Sequence, residues 1–313
     1  MAKQNLDPRL PVGLTREQLF QINLKAGDII VHKKKHRTRF SIGYLTQFLM
    51  KIGIPYEKAY SDATLIAKEL LDLNISEIKV KELLQYTEDW YADINQTYAK
   101  RLRILSNDME DVRPFVILLG GVTGIGKSTI ARMLAERLEI KSLMGTDLIR
   151  ESLRSVFSPH LMPTLHTSSY TTSSQIRLLS SESRTILGFE EQAKIVITGA
   201  EAAVLKALRQ DNILIIEGVH LVPGMLNNKL FKNPRIIQVL LVLKDEKAHL
   251  SRLKKRERAQ SRGTTYSQYF SKIRKIQSYL IEKANAYKVK TIDLTNDEET
   301  ITEIIDYMWK CLV

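Results

Sequence analysis

The sequence feature that most constrains the fold is the run of residues 121–128, which reads Gly-Val-Thr-Gly-Ile-Gly-Lys-Ser. It matches the spacing G-x-x-x-x-G-K-S/T of a phosphate-binding P-loop. The apolar residues 115–119 precede it and predict a buried strand, whereas apolar positions such as Ile130 and Leu134 predict a helix after it. Strand, glycine-rich loop and helix therefore follow one another in the order that a P-loop requires.

The residue types in this loop suit the charge of a triphosphate. Glycines let backbone N–H groups converge on phosphate oxygens, and the N-terminus of the following helix attracts negative charge. Lys127 is expected to reach the β- and γ-phosphates and act in catalysis, Ser128 to bind Mg²⁺, and Thr129 to contact the α-phosphate. ATP and Mg²⁺ are the expected cofactors. The predicted nucleotide-binding residues are Gly121, Thr123, Gly124, Ile125, Gly126, Lys127, Ser128 and Thr129.

Length and composition limit the class of protein. A chain of 313 residues favours two domains, and 44% hydrophobic with 26% charged residues is ordinary globular composition. No apolar run approaches the ~18 residues of a membrane span, and the first residues lack the apolar core of a signal peptide, so a cytoplasmic location is expected. The single cysteine, Cys311, excludes an internal disulfide and makes a thiolate metal site implausible.

The net charge of +12 is compatible with two kinds of partner, because both nucleic acids and small phosphorylated substrates are anionic. The basic runs carry no interleaved aromatic residues on which bases could stack, so a nucleic-acid partner is disfavoured. Three hypotheses stay open: a small-molecule kinase, a nucleic-acid-stimulated ATPase, and a regulatory protein that binds nucleotide without turnover. The sequence also leaves open whether the chain forms a homo-oligomer.

Two further parts are predicted upstream of the P-loop. Residues 1–27 are expected to form an extended arm that ends in a short helix at 15–24. Residues 28–110 are expected to form a mainly helical domain, in which a strand at 29–31 and a basic run at 32–39 precede three helical patterns. The last pattern has apolar or aromatic residues at Tyr91, Ile94, Tyr98, Leu102 and Leu105 and predicts one helix.

A basic hairpin followed by a small helical bundle resembles the ATP-cone, a regulatory module that binds nucleotides, across roughly residues 28–95. The resemblance implies a regulatory nucleotide, although the Lys-Arg-Asp-Gly core of that module is missing. A solvated hairpin or a weak nucleic-acid patch is the alternative. Substitution of the cations Lys33, Arg37 and Arg39 would distinguish these possibilities.

The remainder, residues 111–313, is predicted to be an α/β domain. Its strand candidates are residues 115–119, 142–145, 213–216, 236–243 and 290–294. Such apolar segments are typical of central strands in a parallel sheet covered by helices on both faces. Five strands with the P-loop after the first predict a P-loop NTPase domain of the nucleoside-monophosphate-kinase type.

Polar residues at strand ends mark the predicted acceptor and metal sites, because ligands of open α/β sheets bind at the carboxyl ends of strands. Asp147 is expected to orient the acceptor hydroxyl or take its proton, with a helix N-cap as the alternative, and Arg150 to hold an anionic group. Glu217 ends the third strand and is predicted to hold Mg²⁺. His220 is expected to contact substrate, with a structural histidine as an equal alternative.

Two more stretches complete the predicted site. Residues 159–188 concentrate hydroxyl groups and an imidazole, which suits an oxygen-rich acceptor, although a polar surface loop is the alternative. The contacts predicted there are His166, Ser168, Ser169 and Tyr170. The basic stretch 249–258 follows the fourth strand and predicts a lid in which Arg252 and Arg256 act in catalysis, whereas a solvated basic helix is the alternative. The six histidines show no metal-ligand spacing.

Four segments together resemble 2-phosphoglycerate kinase: residues 120–129, 161–170, the helix opening at 188–192, and 217–224. The resemblance spans most of residues 28–295 and includes the ATP-cone-like region. It implies transfer of the ATP γ-phosphoryl group to the 3-hydroxyl of 2-phosphoglycerate, giving 2,3-diphosphoglycerate and ADP. Another small anionic acceptor stays open as the alternative.

Overall fold

The structure is a computed structural model that describes residues 14–33, 36–107, 115–176, 181–259 and 266–312. The first half of the predicted N-terminal arm lies outside the described residues. The chain divides into two compact units, one formed by Met1–Val112 with Ile305–Lys310 and the other by Arg113–Ile304 with Cys311–Val313. Among the described helices, none is long and apolar enough to cross a bilayer.

The first unit combines helices with a small mixed sheet. In the sheet, β1 is antiparallel to β2 and parallel to β3, in the order β2-β1-β3. All four residues of β2 are exposed, so its basic side chains are available to an anion. The elements of the first unit are α1 Arg16–Ala26, β1 Ile30–Lys33, β2 His36–Arg39, α2 Ile42–Lys51, α3 Tyr56–Asp72, β3 Glu77–Lys79, α4 Val80–Ala92 and α5 Gln96–Asn107.

One predicted helix of this unit is wrong. The apolar pattern from Tyr91 to Leu105 suggested a single helix, but α4 ends at Ala92 and α5 begins at Gln96. Asn95 separates them, because its side-chain oxygen accepts hydrogen bonds of 3.0 and 3.2 Å from the Thr97 and Tyr98 amides. Those amides open a new helix and need an acceptor, so local capping prevails over the periodicity.

The second unit is an α/β domain with a five-stranded parallel sheet in the order β5-β6-β4-β7-β8. Helices flank the sheet, which confirms the predicted fold class. The elements are β4 Val116–Gly120, α6 Lys127–Leu138, β5 Ser142–Gly145, α7 Thr146–Val156, α8 Ser181–Arg209, β6 Leu214–Gly218, α9 Asn228–Phe231, β7 Ile236–Val242, α10 Glu246–Ala259, α11 Phe270–Ala286, β8 Lys290–Asp293 and α12 Asp297–Leu312, of which Ile305–Lys310 belong to the first unit.

The strand order places the P-loop at the centre of the sheet. Strand β4 is buried along its whole length and lies between β6 and β7, although those strands come later in the chain. The register pairs Glu217 of β6 with Leu119 of β4 on one side and Gly145 of β5 on the other. The carboxyl ends of three strands, and the residues that follow them, therefore meet at one edge of the sheet.

The segment between α7 and α8 forms two short 3-10 turns, Pro163–His166 and Thr172–Gln175. The sequence suggested that a helix opens at Gly188, but α8 begins at Ser181 and Gly188 lies inside it. A Cβ atom at Gly188 would lie 2.9 Å from the backbone of Thr172. Glycine is therefore needed there because the second turn packs directly against the helix.

Candidate active site

The P-loop leaves β4 and enters α6 through backbone conformations that favour glycine. Gly121, Gly124 and Gly126 have φ angles of +147°, +84° and +108°. Lys127 begins α6, is 8% exposed, and its Nζ donates a 2.9 Å hydrogen bond to the Val122 carbonyl. Burial lowers the pKa of Lys127, and the next largest effects, from nearby carboxylates, oppose that shift. The loop thus holds a buried ammonium group against its own backbone.

The two predicted metal ligands lie together. The Ser128 hydroxyl donates a 2.8 Å hydrogen bond to Glu217 Oε1. Asp147 lies in the first turn of α7, two residues after Gly145, which pairs with Glu217 in the sheet. Glu217 and Asp147 both raise the pKa of Lys127, against the lowering effect of burial. The structure therefore brings together four predicted site residues from three separate segments of the chain, namely Lys127, Ser128, Asp147 and Glu217. Thr129 lies in the first turn of α6, and its amide donates to the Gly126 carbonyl at 3.0 Å.

A cavity of about 730 Å³ opens beside the loop. Five of its lining residues are cationic and one is a carboxylate, so the cavity favours an anionic ligand. The lining residues are Gly124, Gly126, Lys127, Ser128, Thr129, Arg132, Arg252, Lys255, Arg256, Ala259 and Asp297.

The two arginines predicted for a lid both line this cavity but are held differently. Arg252 Nη1 donates to the Ile125 carbonyl in the P-loop, and its Nη2 lies 3.5 Å from the Leu294 carbonyl. The Arg256 guanidinium lies over the Tyr266 ring, 5.2 Å from its centroid. Arg252 is therefore tied to the loop backbone, whereas Arg256 remains aimed at the cavity by a cation–π contact.

The helix that follows β5 places Asp147 and Arg150 near the same edge. The N-cap of α7 is Gly145, and Asp147 lies in the first helical turn with an exposed side chain, so it does not cap the helix. Arg150 Nη1 donates to the Thr167 carbonyl at 2.9 Å. Its Nε is buried and has no partner among the described residues. Arg150 thus lies between α7 and the hydroxyl-rich segment predicted to meet the acceptor.

His220 belongs to a buried hydrogen-bond chain. Its Nε2 lies 3.0 Å from Gln192 Oε1, and its Nδ1 lies 2.8 Å from Thr146 Oγ1. An amide oxygen only accepts, so Nε2 carries the proton and Nδ1 accepts from the threonine hydroxyl. Gln192 Nε2 in turn donates to the Thr164 and Thr167 carbonyls at 2.5 and 2.9 Å.

The two hydrogen bonds of His220 leave neither ring nitrogen free to bind a ligand. The ring is 0% exposed, and burial lowers its pKa to about 4, while Asp147 opposes the shift. The neutral ring instead connects the end of β6 to α7 and, through Gln192, to residues 164–167. Sequence reasoning did not assign Gln192 a role, because its partners lie 28 and 25 residues away and no local pattern indicates them.

The other predicted acceptor contacts lie in the segment with the 3-10 turns. His166 Nε2 bonds to the Phe157 carbonyl at 2.8 Å. Ser169 and Tyr170 are each 6% exposed, and the Tyr170 ring packs against Tyr266 and Tyr269. Ser168 is partly buried, and its carbonyl accepts from the Thr171 hydroxyl at 3.0 Å. Residues 163–176 of the hydroxyl-rich stretch therefore form a folded wall beside α8 rather than a loose surface loop.

A P-loop at the carboxyl edge of a parallel sheet, beside a cavity whose charged lining residues are mostly cations, defines the chain as an ATP-dependent P-loop kinase. A family model described as an AAA domain matches residues 117–271. The 2-phosphoglycerate kinases of Methanopyrus kandleri and Pyrococcus furiosus are both 34% identical to this chain; the matches cover 90% and 89% of it and 86% and 92% of those proteins. The chain belongs to the 2-phosphoglycerate kinase family, which confirms the resemblance in its sequence.

Solved structures with a similar fold are more distant. A gluconokinase from Sinorhizobium meliloti 1021 is 15% identical with a TM-score of 0.39, and the match covers 64% of this chain and 94% of that one. A shikimate kinase from Acinetobacter baumannii in complex with shikimate is 17% identical with a TM-score of 0.39, covering 63% and 94%.

Proposed function

We propose that the chain transfers the γ-phosphoryl group of Mg-ATP to the 3-hydroxyl of 2-phosphoglycerate, giving 2,3-diphosphoglycerate and ADP. The observation that carries the proposal is the meeting of Lys127, Ser128 and Glu217 at the P-loop, with Asp147 close enough to affect Lys127. The choice of acceptor follows from the relatives, which are 2-phosphoglycerate kinases.

The nucleotide would bind with its phosphates along the loop amides. Lys127 would leave the Val122 carbonyl to meet the β- and γ-phosphates, and Arg256 would stabilise the charge that spreads over the transferring group. Mg²⁺, when bound, would neutralise phosphate charge. The Ser128 and Glu217 oxygens suit that hard cation and would hold it.

The acceptor would bind on the α7 side of the loop. Asp147 would orient the 3-hydroxyl and accept its proton as that oxygen bonds to the γ-phosphorus and the bond to the ADP oxygen breaks. Arg150 would bind an anionic group of the acceptor, and the segment with His166, Ser168, Ser169 and Tyr170 would form the wall of the pocket. His220 would act indirectly, by holding Thr146 beside Asp147.

A panel of acceptors tests this proposal. The protein is incubated with Mg-ATP and 2-phosphoglycerate, 3-phosphoglycerate, glycerate, phosphorylated sugars or nucleosides, and ADP release is followed. We expect release with 2-phosphoglycerate well above the rate without acceptor. ADP release with another compound only would show that the acceptor is different but that the protein is still a kinase. Stimulation of ADP release by RNA or DNA alone would contradict the proposal.

We also propose that the N-terminal unit binds a regulatory nucleotide. A pocket of about 300 Å³ lies between the small sheet and helices α2 and α4 and is lined mostly by apolar side chains such as Phe40 and Phe48. Arg39 also lines it, and Arg37 is exposed on the same strand. An apolar pocket beside cations suits a base with attached phosphates.

Calorimetry with a Lys127→Met variant tests this second site, because the substitution weakens binding at the P-loop. We expect ATP binding to persist in that variant and to disappear when Arg39→Ala is added. Complete loss of binding in Lys127→Met alone would contradict a nucleotide site in the N-terminal unit.

A further inference from the structure

Helix α10 contacts the P-loop from its outer side through two residues of one helical turn. His249 Nε2 donates a 2.9 Å hydrogen bond to the Thr123 carbonyl, and Arg252 Nη1 donates to the Ile125 carbonyl. The two accepting carbonyls belong to residues two positions apart in the loop, and both face α10. Side chains of α10 therefore bind the backbone carbonyls of the loop rather than the side chains of the loop.

The direction of these carbonyls determines the direction of the loop amides. In a trans peptide, the C=O of one residue and the N–H of the next point in opposite directions. If the Thr123 carbonyl faces α10, the Gly124 N–H faces away from it. Among the hydrogen bonds of the described residues, none uses the Gly124 amide as a donor. That amide is available to a phosphate oxygen as long as the peptide keeps this orientation.

Packing supports the same arrangement. A Cβ atom at Gly124 would lie 2.2 Å from Leu253 Cδ2, so the loop backbone lies directly on α10. His249 is 0% exposed, and its ring packs edge-on against Phe270 with 5.5 Å between centroids. His249 is not among the residues that line the cavity. His249 therefore contacts the P-loop at the Thr123 carbonyl and not from within the cavity.

We propose that His249 is a positioning residue. It fixes the Thr123–Gly124 peptide so that the Gly124 N–H faces the phosphates of a bound nucleotide. The inference rests on the proposed function only in requiring that ATP binds at the P-loop. The carbonyl accepts, so Nε2 carries a proton, and burial lowers the pKa of the ring, which favours its neutral form. The Nδ1 atom is buried without a partner in the described part of the chain.

Two amide substitutions separate this role from a purely structural one. Glutamine places its side-chain N–H near the position of Nε2, whereas asparagine is one carbon shorter and does not reach the carbonyl. We expect His249→Asn to raise the Kd for Mg-ATP about tenfold, as for one lost hydrogen bond, and to leave the KM for the acceptor unchanged. His249→Gln should stay within about threefold of the unaltered protein.

Calorimetry reports both affinity and the fraction of binding-competent protein. A lower stoichiometry with unchanged Kd in His249→Asn would show a structural role only and overturn the proposal, as would equal Kd values for all three proteins. Lys254→Ala removes an exposed α10 cation outside the P-loop cavity and controls for charge. Absence of ATP binding by the unaltered protein would instead contradict the proposed function.

A second measurement needs no substitution. Two-bond ¹H–¹⁵N spectra of the unaltered protein, labelled at histidine, report which ring nitrogen of His249 is protonated. We expect the Nε2–H form with and without Mg-ATP between pH 6 and 8. An Nδ1–H ring in the ATP complex would overturn the proposal, because that ring cannot donate to the Thr123 carbonyl.

Discussion

Ser128 Oγ donates a 2.8 Å hydrogen bond to Glu217 Oε1, and this contact joins the first turn of α6 to the end of β6. The two residues are 89 positions apart, and the register of the sheet places Glu217 beside the strand that leads into the P-loop. A hydroxyl and a carboxylate held together next to a buried ammonium group form the centre on which the proposed phosphoryl transfer depends.

Glu217→Gln tests the metal role. The amide oxygen can still accept from Ser128, so the local hydrogen bond is kept while the negative charge is lost. We expect the Mg²⁺ concentration for half-maximal activity to rise about tenfold or more, because carboxylates are strong ligands for this cation. Activity measured over a Mg²⁺ titration gives this value; an unchanged midpoint would remove Glu217 from the metal site.

Asp147→Asn tests the acceptor base. The side chain is exposed and does not cap α7, so the substitution is expected to leave folding intact. A lost general base lowers kcat about 10²- to 10⁴-fold, while the Kd for Mg-ATP should be nearly unchanged. Steady-state kinetics and calorimetry separate these effects. A variant with normal kcat would show that another group takes the proton.

The buried His220 makes stability depend on pH. Burial lowers its pKa to about 4 from 6.5, so the unfolded chain binds a proton that the folded protein does not. Its contribution is fully present above pH 6.5 and is lost as the pH falls toward 4. Relative to His220→Gln, which does not titrate, the protein should lose about 2 kcal/mol of unfolding free energy between pH 7.5 and pH 5.

Urea unfolding of both proteins at several pH values measures this difference and cancels the titration of the other groups. A difference that stays flat over this range would show that His220 binds a proton as readily in the folded protein as in the unfolded chain. It would also contradict the assignment of Nδ1 as the acceptor of the Thr146 hydroxyl.

The P-loop and the sheet could be predicted because their signals are local. Gly121, Gly124 and Gly126 sit at left-handed positions of one short loop, and the core strands are continuous apolar runs. The same local reasoning failed at Asn95, where a side-chain cap interrupts an apolar pattern that by itself suits one helix.

Contacts between distant segments could not be predicted in this way. Nothing near His220 in the sequence indicates whether its ring enters the core or the ligand pocket; that depends on Gln192, 28 residues away. The contact between His249 and Thr123 spans 126 residues, and a basic run in the sequence suggests a lid rather than a support for the loop. Arg252 lines the cavity and also bonds to the Ile125 carbonyl, and its role in catalysis stays a prediction.

The most direct test of the account is a ³¹P NMR spectrum of a reaction that contains Mg-ATP, 2-phosphoglycerate and either the unaltered protein or Lys127→Met. We predict that the signals of 2,3-diphosphoglycerate and ADP grow together with the unaltered protein, and at least about 10²-fold more slowly with Lys127→Met, because the variant lacks the charge that stabilises the transferring phosphoryl group. No 2,3-diphosphoglycerate from the unaltered protein, or equal rates from both proteins, would contradict the account.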